Sequence, residues 1–158
     1  MFQKPWTTCF ANFVFNEFKR ALAEGEVNLN ATDDIRVVLV MTNTTFDTED
    51  DINTLGDATT PDYCDGTNHD STNGHALASE VVGEDAANNR AEFDATDLTF
   101  TALGVGTRQN QGMVLFKWIT NLASSLPIGF IDTGGFPFDG NGGDVVSQWN
   151  VEGILQIA

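Results

Sequence analysis

Ile35-Arg36-Val37-Val38-Leu39-Val40-Met41 is the run on which the fold turns. Six of its seven residues are apolar and three are valines, so the segment favours an extended backbone. A strand with one wet face would alternate apolar and polar residues. This one does not, which marks a strand covered on both faces. Two later runs have the same character: Gly112-Met113-Val114-Leu115-Phe116-Lys117-Trp118-Ile119 and Ile128-Gly129-Phe130-Ile131-Asp132. They read as central strands beside the first.

Working outward, the chain becomes a series of short β-rich runs separated by turn residues. Residues 76–83 and 90–94 read as two strands of a hairpin, with Asn88-Asn89 at the turn. Residues 98–101 alternate with Thr. Residues 145–149 and 153–157 read as a closing pair joined by Asn150-Val151-Glu152. No βαβ rhythm and no internal repeat is visible.

Towards the N-terminus, Thr7 and Thr8 are candidate caps for a helix. Phe10, Phe13, Val14, Phe18, Ala21 and Leu22 recur at three- and four-residue steps, and Gly25 supplies the stop. Phe15 departs from that stripe. The spacing predicts a helix over about 8–24 whose aromatic face packs on a sheet. Together these elements predict an α+β, mainly β fold: an antiparallel β-sandwich or partly open barrel with one N-terminal helix, formed as a single domain over 1–158. Between the first strand and the β-rich remainder, 76–158, lies a polar segment over about 42–74, rich in Thr, Asp, Asn and Gly. It reads as a long acidic surface loop holding a short helix near 50–55, and as the first place to look for partner contacts.

The charge balance narrows the function. Seven Lys and Arg stand against 23 Asp and Glu, for a net charge of −16, while 41% of the residues are apolar and 12 are Phe. A chain this long with that apolar content can fold on its own core. Its field repels phosphate backbones and anionic lipid headgroups, which argues against nucleic-acid and membrane partners. The opening MFQKPWTTCFANFVF has no apolar h-region, and no run approaches the ~20 apolar residues of a membrane span. The chain therefore reads as soluble and made without an export signal. Cys9 and Cys64 can pair or stay free, and nothing in their spacing favours a bridge.

Candidate chemistry is sparse. Nucleophile-elbow, phosphate-loop and Cys-x-x-Cys motifs are missing, and Gly104-Val105-Gly106 precedes a strand instead of opening a helix. His69 and His75 lie near Asp62, Asp65 and Asp70, a set able to hold a divalent transition ion, but the spacing fits no ligand motif and solvated loop residues account for them. Asp139, Asn141 and Asp144 present oxygens at intervals in a Gly-rich connection. They are the candidate calcium ligands, although the spaced acids and terminal Glu of an EF-hand are lacking and a hairpin turn explains the same residues. Trp6, Trp118 and Trp149 sit in or beside apolar runs and read as core or interface anchors. The expectation is a non-enzyme with no catalytic residue, no cofactor and no assigned metal.

Several stretches resemble a group of small virion structural proteins of tailed bacteriophages. They are Ala87-Asn88-Asn89-Arg90-Ala91-Glu92-Phe93-Asp94-Ala95-Thr96-Asp97-Leu98-Thr99-Phe100, Gly112–Lys117, Ile128-Gly129-Phe130-Ile131-Asp132-Thr133-Gly134-Gly135 and Val146-Ser147-Gln148-Trp149-Asn150-Val151-Glu152-Gly153-Ile154-Leu155. Ala23-Glu24-Gly25-Glu26-Val27-Asn28 and Asp34-Ile35-Arg36-Val37-Val38-Leu39 extend the similarity towards the N-terminus. The acidic segment is longer and more polar than in that group. The resemblance implies a capsid decoration, or cement, protein that binds and stabilises the shell of the major capsid protein. It also implies a homo-oligomer, located in the virion and assembled in the host cytoplasm. A head–tail connector, neck or tail component is the alternative. A calcium- or carbohydrate-binding β-module, resting on Trp118, Trp149 and the 139–144 loop, is a further one.

Overall fold

The computed structural model describes residues 6–9 and 11–158, with backbone only for 6–9. In chain order the elements are β1 (Trp6–Cys9), β2 (Phe13–Val14), α1 (Asn16–Ala23), β3 (Ile35–Met41), β4 (His75–Ala76), β5 (Val81–Asp85), β6 (Arg90–Asp94), β7 (Leu98–Leu103), β8 (Asn110–Lys117), β9 (Leu126–Ile131), β10 (Gly143–Trp149) and β11 (Leu155–Ile157). They form a five-stranded sheet, β2-β9-β8-β3-β4, and two three-stranded sheets, β1-β10-β7 and β11-β6-β5. All pairings are antiparallel except β1 with β10. The fold is mainly β with one helix and sandwich-like, as the apolar runs require.

The five-stranded sheet is the middle layer. Ile35, Val37, Leu39 and Met41 of β3 face an inner core with Met113 and Leu115 of β8. Phe93, Phe100, Leu103, Trp149 and Leu155 close that core from the two smaller sheets. The intervening Val38 and Val40 point the other way, into a second core with Val114, Phe116 and Phe130. Because both faces are buried, alternation of side chains across the strand leaves no position for a polar residue except Arg36 at the rim.

The second core is roofed by the segment 42–74, which corrects the surface-loop reading. Phe46 and Leu55 are fully buried, and Ile52 and Ala58 nearly so. They pack with Phe15 and Leu122 on the outer face of the sheet. A short 3-10 turn, Leu55–Asp57, stands where a helix near 50–55 was expected. The segment is polar in composition because each turn is short and needs hydrogen-bonding side chains. The few apolar residues it has are the ones turned inward.

The helix also differs. It begins at Asn16, since Phe13 and Val14 pair with Phe130 and Gly129 as a strand. An aromatic and a β-branched residue fit a strand at least as well as a helix. Phe15 breaks the stripe because it belongs to the opposite core, while Phe18 and Ala21 of α1 face the inner one. The end is as expected: Gly25 takes φ +74°, and the Glu26 and Gly25 N–H groups donate to the carbonyls of Ala21 and Leu22. Phe10 and the side chains of Trp6, Thr7, Thr8 and Cys9 lie outside the described residues. Cys64 is a buried free thiol.

Two strand assignments need correction. Residues 76–83 are divided between β4 and β5, with Leu77 bonded to Ile35 and Ser79 at positive φ between them. The closing pair does not form: β10 lies between β1 and β7, whereas β11 pairs with β6. The turn around Val151 carries the chain from one small sheet to the other.

Candidate functional site

The acids of the 42–74 segment are tied down individually. Asp65 accepts the Thr107 N–H and hydroxyl, each at 2.8 Å. Asp62 receives the Arg108 guanidinium. Glu49 accepts from the Thr45 hydroxyl at 2.8 Å and the Thr59 N–H at 2.9 Å. Thr54 and Asp57 cap the 3-10 turn reciprocally. Hydrogen bonds from Thr107 hold the Asp65 carboxyl below the usual range, and bonds from Thr59 do the same to Glu49. Asp62 and Asp65 staple the roof to the 107–108 loop that leads into β8, and Glu49 and Asp57 fasten the roof to itself.

His69 and His75 form a pair that their separation in sequence gives no reason to expect. Their ring centroids are 4.9 Å apart, and Phe100 stands edge-on to His75 at 4.9 Å. His75 Nε2 lies 3.0 Å from His69 Nδ1 and also accepts the Asp70 N–H at 3.2 Å. An atom that accepts from a backbone amide holds a lone pair there, so His69 Nδ1 must carry the proton between the rings. The remaining His69 Nε2 is buried with no partner. Both rings are therefore neutral. Solvation does not describe them, which corrects the loop reading. Neither do Asp62, Asp65 or Asp70 join them as a set of metal ligands: among the described residues, the one cluster of three convergent metal-binding groups is Asp85, Glu92 and Glu152.

Burial, with the neighbouring His75 contributing, pushes the His69 pKa down to about 3, and burial also lowers that of His75. An unfolded histidine titrates near 6.5. Below that value the unfolded chain takes up protons that the folded chain refuses, so stability is full above about pH 6.5 and falls as pH drops towards 3. Urea unfolding should lose about 2 kcal/mol between pH 7 and pH 5 from His69 alone. His69→Gln should make the curve shallower in that window, leaving the share that His75 contributes. A wild-type profile already flat between pH 7 and pH 5 would contradict the buried neutral pair.

Asp85, Glu92 and Glu152 converge from β5, β6 and the turn before β11, but the Arg90 guanidinium occupies their centre. It lies 3.2 Å from Asp85, 2.8 Å from Glu92 and in contact with Glu152. One positive charge from the chain itself thus stands among three carboxylates, and the group keeps an excess of negative charge. Sequence reading passed over this group, although Arg90, Glu92 and Asp94 alternate along one strand and so share a face.

The candidate calcium ligands are engaged separately. Asp139 accepts from the Gln109 amide at 2.9 Å, Asn141 from the Gly143 N–H at 2.9 Å, and Asp144 from the Ala102 N–H at 2.8 Å. The Asn141 bond is that of a turn, and the other two tie the connection to residues 102 and 109. Two of the tryptophans behave as anchors: Trp149 is buried and donates Nε1–H to the Thr96 carbonyl, and Arg36 lies over the Trp118 ring at 4.1 Å. That cation–π contact covers a face of Trp118 on which a sugar would stack. Comparison with protein-family models, with curated proteins and with solved structures finds no match to this chain.

Proposed function

We propose that this chain is a capsid decoration protein of a tailed bacteriophage, binding and stabilising the shell of the major capsid protein. The observation that carries the reading is the roof over 42–74. A long acidic segment is folded and stapled before any partner arrives, so docking would order little new chain. A building block that must find its place on a preformed shell gains from that pre-organisation. The −16 charge serves the same purpose, keeping free copies soluble and apart at high concentration. Resemblance over the β-rich runs points the same way. The partners in this reading are the major capsid protein and further copies of the chain in a small oligomer, not nucleic acid or membrane.

The test is the copy number in purified particles, by quantitative mass spectrometry. The proposal expects copies on the same order as the major capsid protein. A single ring at one vertex would move the chain to the connector or tail. Absence from particles would overturn the reading.

A further inference from the structure

The geometry points to the free edge of β5 as the docking site for an extended partner segment with alternating apolar and basic residues. This inference rests on the reading of the chain as a building block among protein neighbours, and it names where a neighbour attaches.

Three observations on one strand carry it. First, β5 is the outer strand of its sheet, with β6 on one side only. The Val82 N–H donates to the Asn30 side chain at 3.3 Å and so points away from β6. By the alternation of an antiparallel ladder, Glu84 presents its N–H and carbonyl outward too. Among the described residues, the edge is thus a template plugged by one long, exposed side-chain bond.

Second, the register sorts the two faces. Val82 is opposite Phe93, which is opposite Leu155. Phe93 and Leu155 are buried in the inner core, yet Val82 remains 38% exposed. At Val82 the apolar face therefore reaches the edge uncovered, with Glu84 following two residues on along the same face. An added strand would place an apolar residue beside Val82 and continue the core.

Third, the opposite face is acidic. Gly83 is opposite Glu92, with Asp85 on one side, the half-exposed Val81 opposite Asp94 on the other, and Glu152 beside Arg90. Three carboxylates, Asp85, Glu92 and Glu152, meet one guanidinium there, and Asp94 adds a further negative charge to the same face. Gly83 has open space where a side chain would stand, so a long cationic side chain has a clear approach to Glu92. Residues of the added strand that point to this face should be Lys or Arg. A second copy of β5 would instead bring its own acids against these, which disfavours a self-pair. Main-chain bonds would supply affinity and the two faces specificity.

The probes are two synthetic peptides, one alternating Lys and Val and one alternating Glu and Val, titrated by calorimetry into the full chain. Glu84→Pro removes the outward donor while leaving the β5–β6 ladder, since that N–H faces away from β6. Val82→Lys is a second variant that keeps every backbone group. Expected are saturable binding of the Lys–Val peptide that weakens with salt, no heat from the Glu–Val peptide, and at least a tenfold loss in both variants. Equal binding of both peptides, or unchanged affinity in a folded Glu84→Pro or Val82→Lys chain, overturns the inference. Particle attachment separates this failure from that of the proposed function. Variants that populate particles like wild type refute the β5 site alone, whereas wild type missing from particles refutes the virion reading and leaves the peptide result to judge the edge.

Discussion

Phe46→Ala is expected to destabilise the protein by about 3–5 kcal/mol, the range for truncation of a buried Phe. Phe46 has no exposed surface, packs beside Tyr63 with ring centroids 6.1 Å apart, and belongs to the second core with Val38, Val40 and Phe116. Removing the ring opens a cavity that Thr44 and Thr45 cannot fill, because both are held to the chain at 60–61. Urea denaturation followed by tryptophan fluorescence reads the change. A loss below about 0.5 kcal/mol, the size of an ordinary surface substitution, would show that 42–74 is the solvated loop its composition suggests. An intermediate outcome is informative as well. If the main transition stays put but protease sensitivity appears within 42–74, the roof opens independently of the sandwich beneath it.

Gly140→Ala is expected to cost about 3 kcal/mol, at the severe end of overpacking. A Cβ on Gly140 would fall 2.0 Å from the Gly104 carbonyl oxygen and 2.9 Å from that of Leu103. On the other side of Gly104, a Cβ on Gly66 would fall 2.4 Å from the same oxygen. Three backbones therefore meet with no room for a methyl group. The contacts are carbonyls, which cannot swing aside as a side chain would. Neighbouring bonds fix the approach: Gly104 N–H donates to Thr67 and Gly142 N–H to Leu103. Gly83→Ala is the control, as a Cβ there meets nothing within 4 Å. Its effect should stay within about 0.5 kcal/mol. Equal melting temperatures for the two variants would contradict the close-packed junction.

What the sequence disclosed followed the strength of local periodicity. β3, β8 and β9 were legible because an unbroken apolar run of this length has few other places to go. The end of α1 was legible because Gly25 supplies the left-handed residue a helix stop needs. The start of α1 was not, since Phe13 and Val14 satisfy helical spacing while their pairing with β9 depends on residues more than a hundred positions away. The same non-local dependence hid the partners of β10 and β11. Both were recognisable as strands, but adjacency in sequence suggested a pair, and packing chose β7 and β6 instead. The roof escaped detection because Phe46, Ile52, Leu55 and Ala58 recur at no fixed period and are diluted among turn residues.

The sites fared similarly. Asp139, Asn141 and Asp144 stood out because oxygen-bearing residues cluster in such connections, and Asn141 and Asp144 accept from backbone donors there while Asp139 accepts from the Gln109 side chain. His69 and His75 come together only because the turn at 70–74 folds back, with the Gly74 N–H on the Asp70 carbonyl. The acidic face around Arg90 was readable in principle from the alternation of β6. Its partner Glu152 reaches it across the turn before β11, a contact that local pattern does not encode.

The decoration role proposed above requires this folded, acidic body to sit on a protein shell. The most direct measurement adds the purified chain to phage heads that lack it, then follows co-sedimentation and the temperature at which the heads rupture. Saturable binding and a higher rupture temperature are expected, with both effects reduced by Glu84→Pro. Heads that neither retain the chain nor gain resistance to heat would contradict it.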